Sequence, residues 1–159
     1  MLSIKKLSDD SAERQKNIQA VADIEVAVQT QDAWTYQALT DLLTQDSIKL
    51  ITATDSTNDE VVGYCLYQIV FEQAEILRIG THPQSQRQGI ASQLFAVLNK
   101  AMAANEVESL LLEVRADNAP AIALYKKQGF TIIHRRKGYY QQLHQLSVDA
   151  LIMQLSYIE

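Results

Sequence analysis

Apolar residues recur along this chain with two different periods, and the switches between them outline the fold. Ile18, Val21, Ile24 and Val28 return every three or four positions within residues 11–29, which predicts an amphipathic helix. Residues 34–43 read as a second helix, approached through the polar Thr30, Gln31 and Asp32. Residues 3–7 read as a short first strand. Residues 49–54 and 61–71 read as two more, joined by the turn-forming run Asp55-Ser56-Thr57-Asn58-Asp59. Residues 74–81 make the next strand, and Pro83 cannot continue it in a central ladder. From Gly89 to about residue 104 the period returns to that of a helix, with Ile90, Leu94, Val97, Leu98 and Ala101 on one face. Within residues 107–115, Leu110, Leu112 and Val114 point one way and Leu111, Glu113 and Arg115 the other. Asp117 or Asn118 caps a short helix with Pro120 in its first turn, and Gly129 closes it where a left-handed residue is wanted. Residues 130–137 and 148–157 read as two last strands. This order predicts a mixed α/β sheet with helices on both faces. No repeat and no Pro/Gly-rich linker divides it, so residues 1–159 are read as a single domain.

Composition narrows the function classes. Hydrophobic residues are 47% and charged residues 21%, an ordinary globular balance. No apolar run is long enough to span a bilayer, and the first residues, Met1-Leu2-Ser3-Ile4-Lys5-Lys6, do not read as a signal peptide, so the expected location is cytoplasmic. A net charge of −5 argues against a nucleic-acid partner, and the dense basic run His134-Arg135-Arg136-Lys137 fits a solvated strand and turn. Cys65 is alone and lies in a strand-like run, the setting of a buried structural thiol. His82, His134 and His144 have no ligand spacing with Cys65 or one another, so no metal site is expected.

Three signals between residues 86 and 130 carry the chemistry. Gln86-Arg87-Gln88-Gly89-Ile90-Ala91 lies between a strand and a strong helix, where backbone N–H groups meet an anion at a helix N-terminus. Neither Gly-x-x-x-x-Gly-Lys nor Gly-x-Gly-x-x-Gly is present. Glu113 places an acid on an otherwise apolar strand, and Tyr125 a phenol on the following helix. From the residues alone, Glu113 also fits a solvated strand face, Tyr125 a helix core, and Tyr139 and Tyr140 strand positions of high β-propensity.

The Gln-x-x-Gly-x-Ala cradle resembles the pyrophosphate-binding motif of the GNAT acetyl-CoA-dependent N-acetyltransferases. Leu112-Glu113-Val114-Arg115, Asn118, Ala121 to Tyr125, Gly129-Phe130, Tyr139-Tyr140 and Asp149-Ala150-Leu151-Ile152-Met153 are similar to its bacterial RimI branch, which acetylates the N-terminal amine of a ribosomal protein. The resemblance covers about residues 73–155, roughly half the chain. It implies a mostly antiparallel twisted sheet of about six to seven strands with a splayed central pair, flanked by about four helices. It also implies acetyl-CoA as cosubstrate, no metal, and an amine acceptor, foremost a polypeptide N-terminus. Ile79, Gly80 and Thr81 would lie along the pantetheine arm, and Arg87, Gln88, Gly89, Ile90, Ala91 and Ser92 would hold the pyrophosphate. Asn118 would contact the cosubstrate near its reacting end. Glu113 would be general base, Tyr125 general acid, and Tyr139 and Tyr140 would meet the acceptor.

A lone glutamate suits such an acceptor. An α-amine with a pKa near 8 is about one-tenth neutral at pH 7, whereas a lysine amine near 10.4 asks over two more pH units of the base. Two departures concern the cradle: Ala91 replaces a frequent glycine, a tolerated change, and Ser92 replaces a frequent basic residue, which removes one phosphate contact. Two others bear on acceptor choice: Asp32-Ala33-Trp34 stands in for Phe-Pro-Trp, and residues 141–148 lack the branch's glycine and acidic character. Small amines or lysine side chains remain alternative acceptors, and a non-catalytic CoA sensor is a third reading. A hydrolase is disfavoured, since no nucleophile–histidine pair is read in the cleft region.

Overall fold

The computed structural model describes residues 1–29, 32–141 and 146–158, so the expectations attached to Thr30, Gln31 and His144 fall outside the described residues. The elements are β1 (Leu2–Lys6), α1 (Ser11–Val28), α2 (Tyr36–Leu42), β2 (Ile48–Asp55), β3 (Glu60–Val70), β4 (Gln73–Thr81), α3 (Ile90–Ala104), β5 (Ser109–Arg115), α4 (Ala119–Lys127), β6 (Thr131–Tyr140) and β7 (Val148–Ser156). A single 3-10 turn, Pro83–Ser85, follows β4 where the proline ends the ladder. One seven-stranded sheet runs β1-β2-β3-β4-β5-β7-β6, antiparallel throughout except between β4 and β5. Among the described residues no helix is long and apolar enough to cross a membrane.

Side chains at the helix starts accept N–H groups left without intrahelical partners. Asp10 Oδ2 accepts from Glu13 N–H at 3.0 Å, Thr35 Oγ1 from Ala38 N–H at 3.1 Å, and Asn118 Oδ1 from Ala121 N–H at 3.3 Å. Asn118, not Asp117, is therefore the cap of α4. Gly129 beyond α4 has φ +101°, the left-handed backbone that stops the helix.

Alternation along the strands sorts the core onto two faces. Ile48, Leu50, Tyr64 and Leu66 pack under α1 and α2 with Ile18, Val21, Ile24 and Leu39. Ile51, Cys65, Tyr67, Leu110 and Leu112 pack on the other face under Ile90, Leu94, Phe95 and Leu98 of α3. Phe95 meets Tyr125 of α4 and Phe130 edge-on, at 6.1 and 5.8 Å between ring centroids. Cys65 is fully buried in this layer, and burial pushes its thiol well above the usual range.

The central pair parts after three residues. Gln73, Ala74 and Glu75 pair with Ser109, Leu110 and Leu111, while β4 stays paired with β3 through Thr81 and β5 with β7 through Arg115. The fork coincides with a β-bulge. Tyr67 pairs with Ile76 but Leu66 pairs with Arg78, so Leu77 is an extra residue on β4. A bulge bends its strand and raises the local twist, which turns the second half of β4 away from β5.

Candidate active site

The fork opens a cleft of about 600 Å³. Its β4 wall carries Ile76, Leu77, Arg78 and Ile79, joined by Asp32, and its β5 wall carries Glu113, Val114 and Arg115, joined by Tyr140. Asn118 and Tyr125 reach in from α4 and the turn before it. Because the sheet is notched here, groups from both faces share one space. Glu113 alternates away from the α3 core, whereas Tyr125 belongs to that core.

The Glu113 side chain is 27% exposed. Its Oε2 accepts from the Tyr140 hydroxyl at 3.2 Å, and Arg136 Nη1 stands 3.8 Å from Oε1. Tyr140 is pushed up to about 12, first by burial and then by the adjacent Glu113 charge and hydrogen bond. Tyr125 is only 9% exposed, and burial pushes its phenol up to about 12 as well. Both phenols therefore keep their protons at neutral pH. Tyr139 is half-exposed, packs edge-on against Tyr140 at 5.2 Å and lies under the Arg136 guanidinium at 5.3 Å. Arg115 is fixed by two bonds to Asp117, each 3.0 Å, and lies 5.2 Å over the Tyr140 ring.

At the start of α3 the loop has the shape of an anion cradle. Arg87 and Gly89 both have positive φ, +64° and +79°, which turns successive amides inward. Gly89 is the N-cap without a side-chain acceptor, leaving the first N–H groups of α3 for a ligand. A Cβ added to Gly89 would meet nothing within 4 Å, so the space before it is open. Ser92 Oγ in this turn accepts from Gln128 Nε2 at 3.3 Å, tying α4 to the cradle. Gly80 answers a different demand, since a Cβ there would stand 2.8 Å from the Tyr64 ring. Thr81 ends β4 beside it. In chain order Gly80 and Thr81 stand between the fork and the cradle, and the residues of the two fit a pantetheine arm and its diphosphate.

Residues 13–130 match the acetyltransferase (GNAT) family. The chain belongs to this family. As a GNAT protein it is an acetyl-CoA-dependent acetyltransferase acting on an amine. It is 36% identical over 102 residues to the [ribosomal protein bS18]-alanine N-acetyltransferase of Salmonella typhimurium (strain LT2), covering 63% of this chain and 67% of that relative. To the enzyme of the same name from Haemophilus ducreyi it is 30% identical over 114 residues, covering 72% and 79%. The crystal structure of the ribosomal-protein-S18-alanine N-acetyltransferase from Escherichia coli superposes with a TM-score of 0.83 at 29% identity, over 98% of this chain and 94% of that one. The matched stretch is thus about two thirds of the Salmonella relative's own length.

Pattern reasoning missed three residues in or beside this GNAT cleft, Glu25 and Arg78 at the β4 wall and Arg136 next to Glu113, while Asp32, from the segment expected to bear on acceptor choice, does line the cleft. Two had a signal. Arg78 interrupts an apolar strand, Ile76-Leu77-Arg78-Ile79, and Glu25 falls four residues after Val21 on the buried stripe of α1. Among the described residues no group of three or more His, Cys, Asp or Glu is placed to hold a metal ion.

Proposed function

We propose that this enzyme transfers the acetyl group of acetyl-CoA to the N-terminal α-amine of a protein, foremost a ribosomal protein, by direct attack with both substrates bound. Such an acceptor places the reaction in the cytoplasm, and residues 1–159 act as one catalytic domain. The observation that carries the reading is the pairing of one partly exposed carboxylate, Glu113, with one buried phenol, Tyr125, across the same notch. The names of the relatives point the same way and suggest alanine as the first residue of the acceptor.

Acetyl-CoA supplies an activated thioester when bound. The N–H groups of residues 87–92 receive its diphosphate, and Ile79, Gly80 and Thr81 line its arm. Asn118 approaches the reacting end. Glu113 takes the proton of the acceptor ammonium and releases it to solvent, freeing the lone pair that forms the new N–C bond, and it takes the second N–H proton as the tetrahedral adduct collapses to the amide. Backbone N–H groups on the unpaired edge of β4 steady the oxyanion. As the C–S bond breaks, Tyr125 passes its proton to the departing sulfur and regains one from solvent. Tyr140 orients Glu113, and Tyr139 and Tyr140 contact the acceptor backbone.

The test is incubation with acetyl-CoA and peptides of varied first residue, following thiol release and product mass. Modification confined to the N-terminal amine, with alanine-initiated peptides preferred, is the expected result. Turnover of free amines or of lysine side chains alone would refute the acceptor assignment. Acetyl-CoA binding without any turnover would refute the catalytic one.

A further inference from the structure

A chain of polar side chains that the chemistry above leaves unused runs from the core to the rim of the cleft. Glu25, on the core-facing stripe of α1, is fully buried at 0% exposure. Its carboxylate accepts from the Tyr64 hydroxyl and, at 3.0 Å, from the backbone N–H of Trp34. Arg78 Nε stands 3.3 Å from the same carboxylate, an ion pair without hydrogen-bond alignment. The other end of Arg78 faces outward. Its Nη2 lies 3.1 Å from Asp32 Oδ2 and donates to the Asp32 carbonyl at 2.8 Å. The guanidinium also lies 4.8 Å over the Trp34 ring.

The bulge is what brings Arg78 to this face. By strict alternation Arg78 would share the α3 side with Ile76, but the extra Leu77 resets the phase and pairs Arg78 with Leu66 under α1. One backbone feature therefore opens the fork and delivers a cation to its wall. A buried ion pair adds little net stability, because desolvation offsets most of the attraction, but it fixes geometry. What it fixes here is the contact of residues 32–34 with β4. Asp32 and Arg78 both line the cleft opposite Glu113 and Tyr140. The charge of Asp32 reaches Arg115 on β5, whose guanidinium is held above its ordinary range mainly by Asp117 and to a lesser degree by Tyr140 and Asp32.

We propose that Arg78 is a positioning residue for the acceptor: anchored on Glu25, it pins residues 32–34 to β4 and so shapes the wall along which the acceptor polypeptide reaches Glu113. The inference rests on the polypeptide-acceptor reading above. The cradle is on the α3 face of the sheet and Arg78 on the α1 face, so the two substrates should respond differently to its loss.

Steady-state kinetics with acetyl-CoA and a peptide acceptor bearing a free N-terminal amine, on folded variants, test this. R78M should raise the peptide KM about tenfold or more, since misplacement of a distant support costs binding geometry. It should leave kcat and the acetyl-CoA KM within about twofold. R78K should recover part of the loss. Since R78M leaves Glu25 buried without its cation, E25Q/R78M serves as the folding control: its thermal midpoint should return while its peptide KM stays high. D32A, which removes only the exposed end, should raise the peptide KM in the same direction. Normal peptide KM in folded R78M and D32A, or recovery of both midpoint and KM in the double variant, overturns the proposal while leaving the acceptor reading intact. Failure of the wild type to acetylate any peptide overturns the acceptor reading and this inference with it.

Discussion

Replacing Glu113 by glutamine removes a proton acceptor while disturbing little else. The amide oxygen can still accept the Tyr140 hydroxyl, now 3.2 Å from Oε2. The Arg136 contact that weakens, at 3.8 Å, is half-exposed on the arginine side and contributes below about 1 kcal/mol. Folding and acetyl-CoA affinity should therefore hold, the latter because the cradle lies beyond the far end of β4. The rate should not hold. An enzyme with Glu113 can bind the ammonium form and strip its proton, whereas the variant must wait for neutral amine. That form is about a tenth of an α-amine at pH 7 and nearly all of it at pH 9. Loss of general-base assistance costs about 10² in addition. Turnover of an N-terminal peptide should thus fall about 10³-fold at pH 7 and about 10²-fold at pH 9, a ratio that narrows as pH rises. A thiol-release assay across this range, with calorimetry for acetyl-CoA, measures both terms. A rate ratio near one, or one that stays constant with pH, would refute the role given to Glu113.

Three further outcomes are expected. Tyr125→Phe keeps the ring against Phe95 and Phe130, so unfolding should shift by less than about 1 kcal/mol while kcat drops about 10²-fold; unchanged kcat would leave thiolate departure to another donor. Gly89→Val meets no protein atom, but its backbone is at φ +79° and its side chain would fill the cradle. Calorimetry should show acetyl-CoA affinity lost by about tenfold or more alongside about 1–2 kcal/mol of strain, and full affinity would move the diphosphate elsewhere. Asp149 accepts the Gly138 N–H at 2.8 Å and pairs with Arg135 at 2.7 Å, which hold its carboxyl below the ordinary range. Its stabilisation is complete above the unfolded pKa and vanishes as pH falls through the folded one. Asp149→Asn should accordingly lower the thermal midpoint at pH 7, with the gap to wild type closing in acid.

Elements with a strong period were read almost to the residue. The helix opening at Gly89 is Ile90–Ala104, and the strand carrying Glu113 is Ser109–Arg115. The last strands fared less well at their ends, because Thr131–Tyr140 runs three residues past the expected stop. Its partners shift register around Gly138, at φ +62°, and a strand with bulges and few buried residues has no clean alternation to read. The cradle was legible because a glycine before an apolar helical stripe is a local signal. Arg136 was legible only as one cation in a basic run, and nothing local places it beside Glu113.

Local order was enough to determine which segments are helix and strand, where the anion cradle opens, and which acid and phenol stand on adjacent elements, because capping, period and glycine conformation all act over a few residues. The notch itself depends on where β4 stops pairing with β5 and on one extra residue, Leu77, opposite Tyr67 and Leu66. That bulge inverts the face on which Arg78 emerges, and alternation read along the chain assigns it the wrong one. Register is a relation between strands, set by how two sheet faces are buried at once, and so only the tertiary structure could bring Glu25, Arg78 and Asp32 into one wall of the cleft.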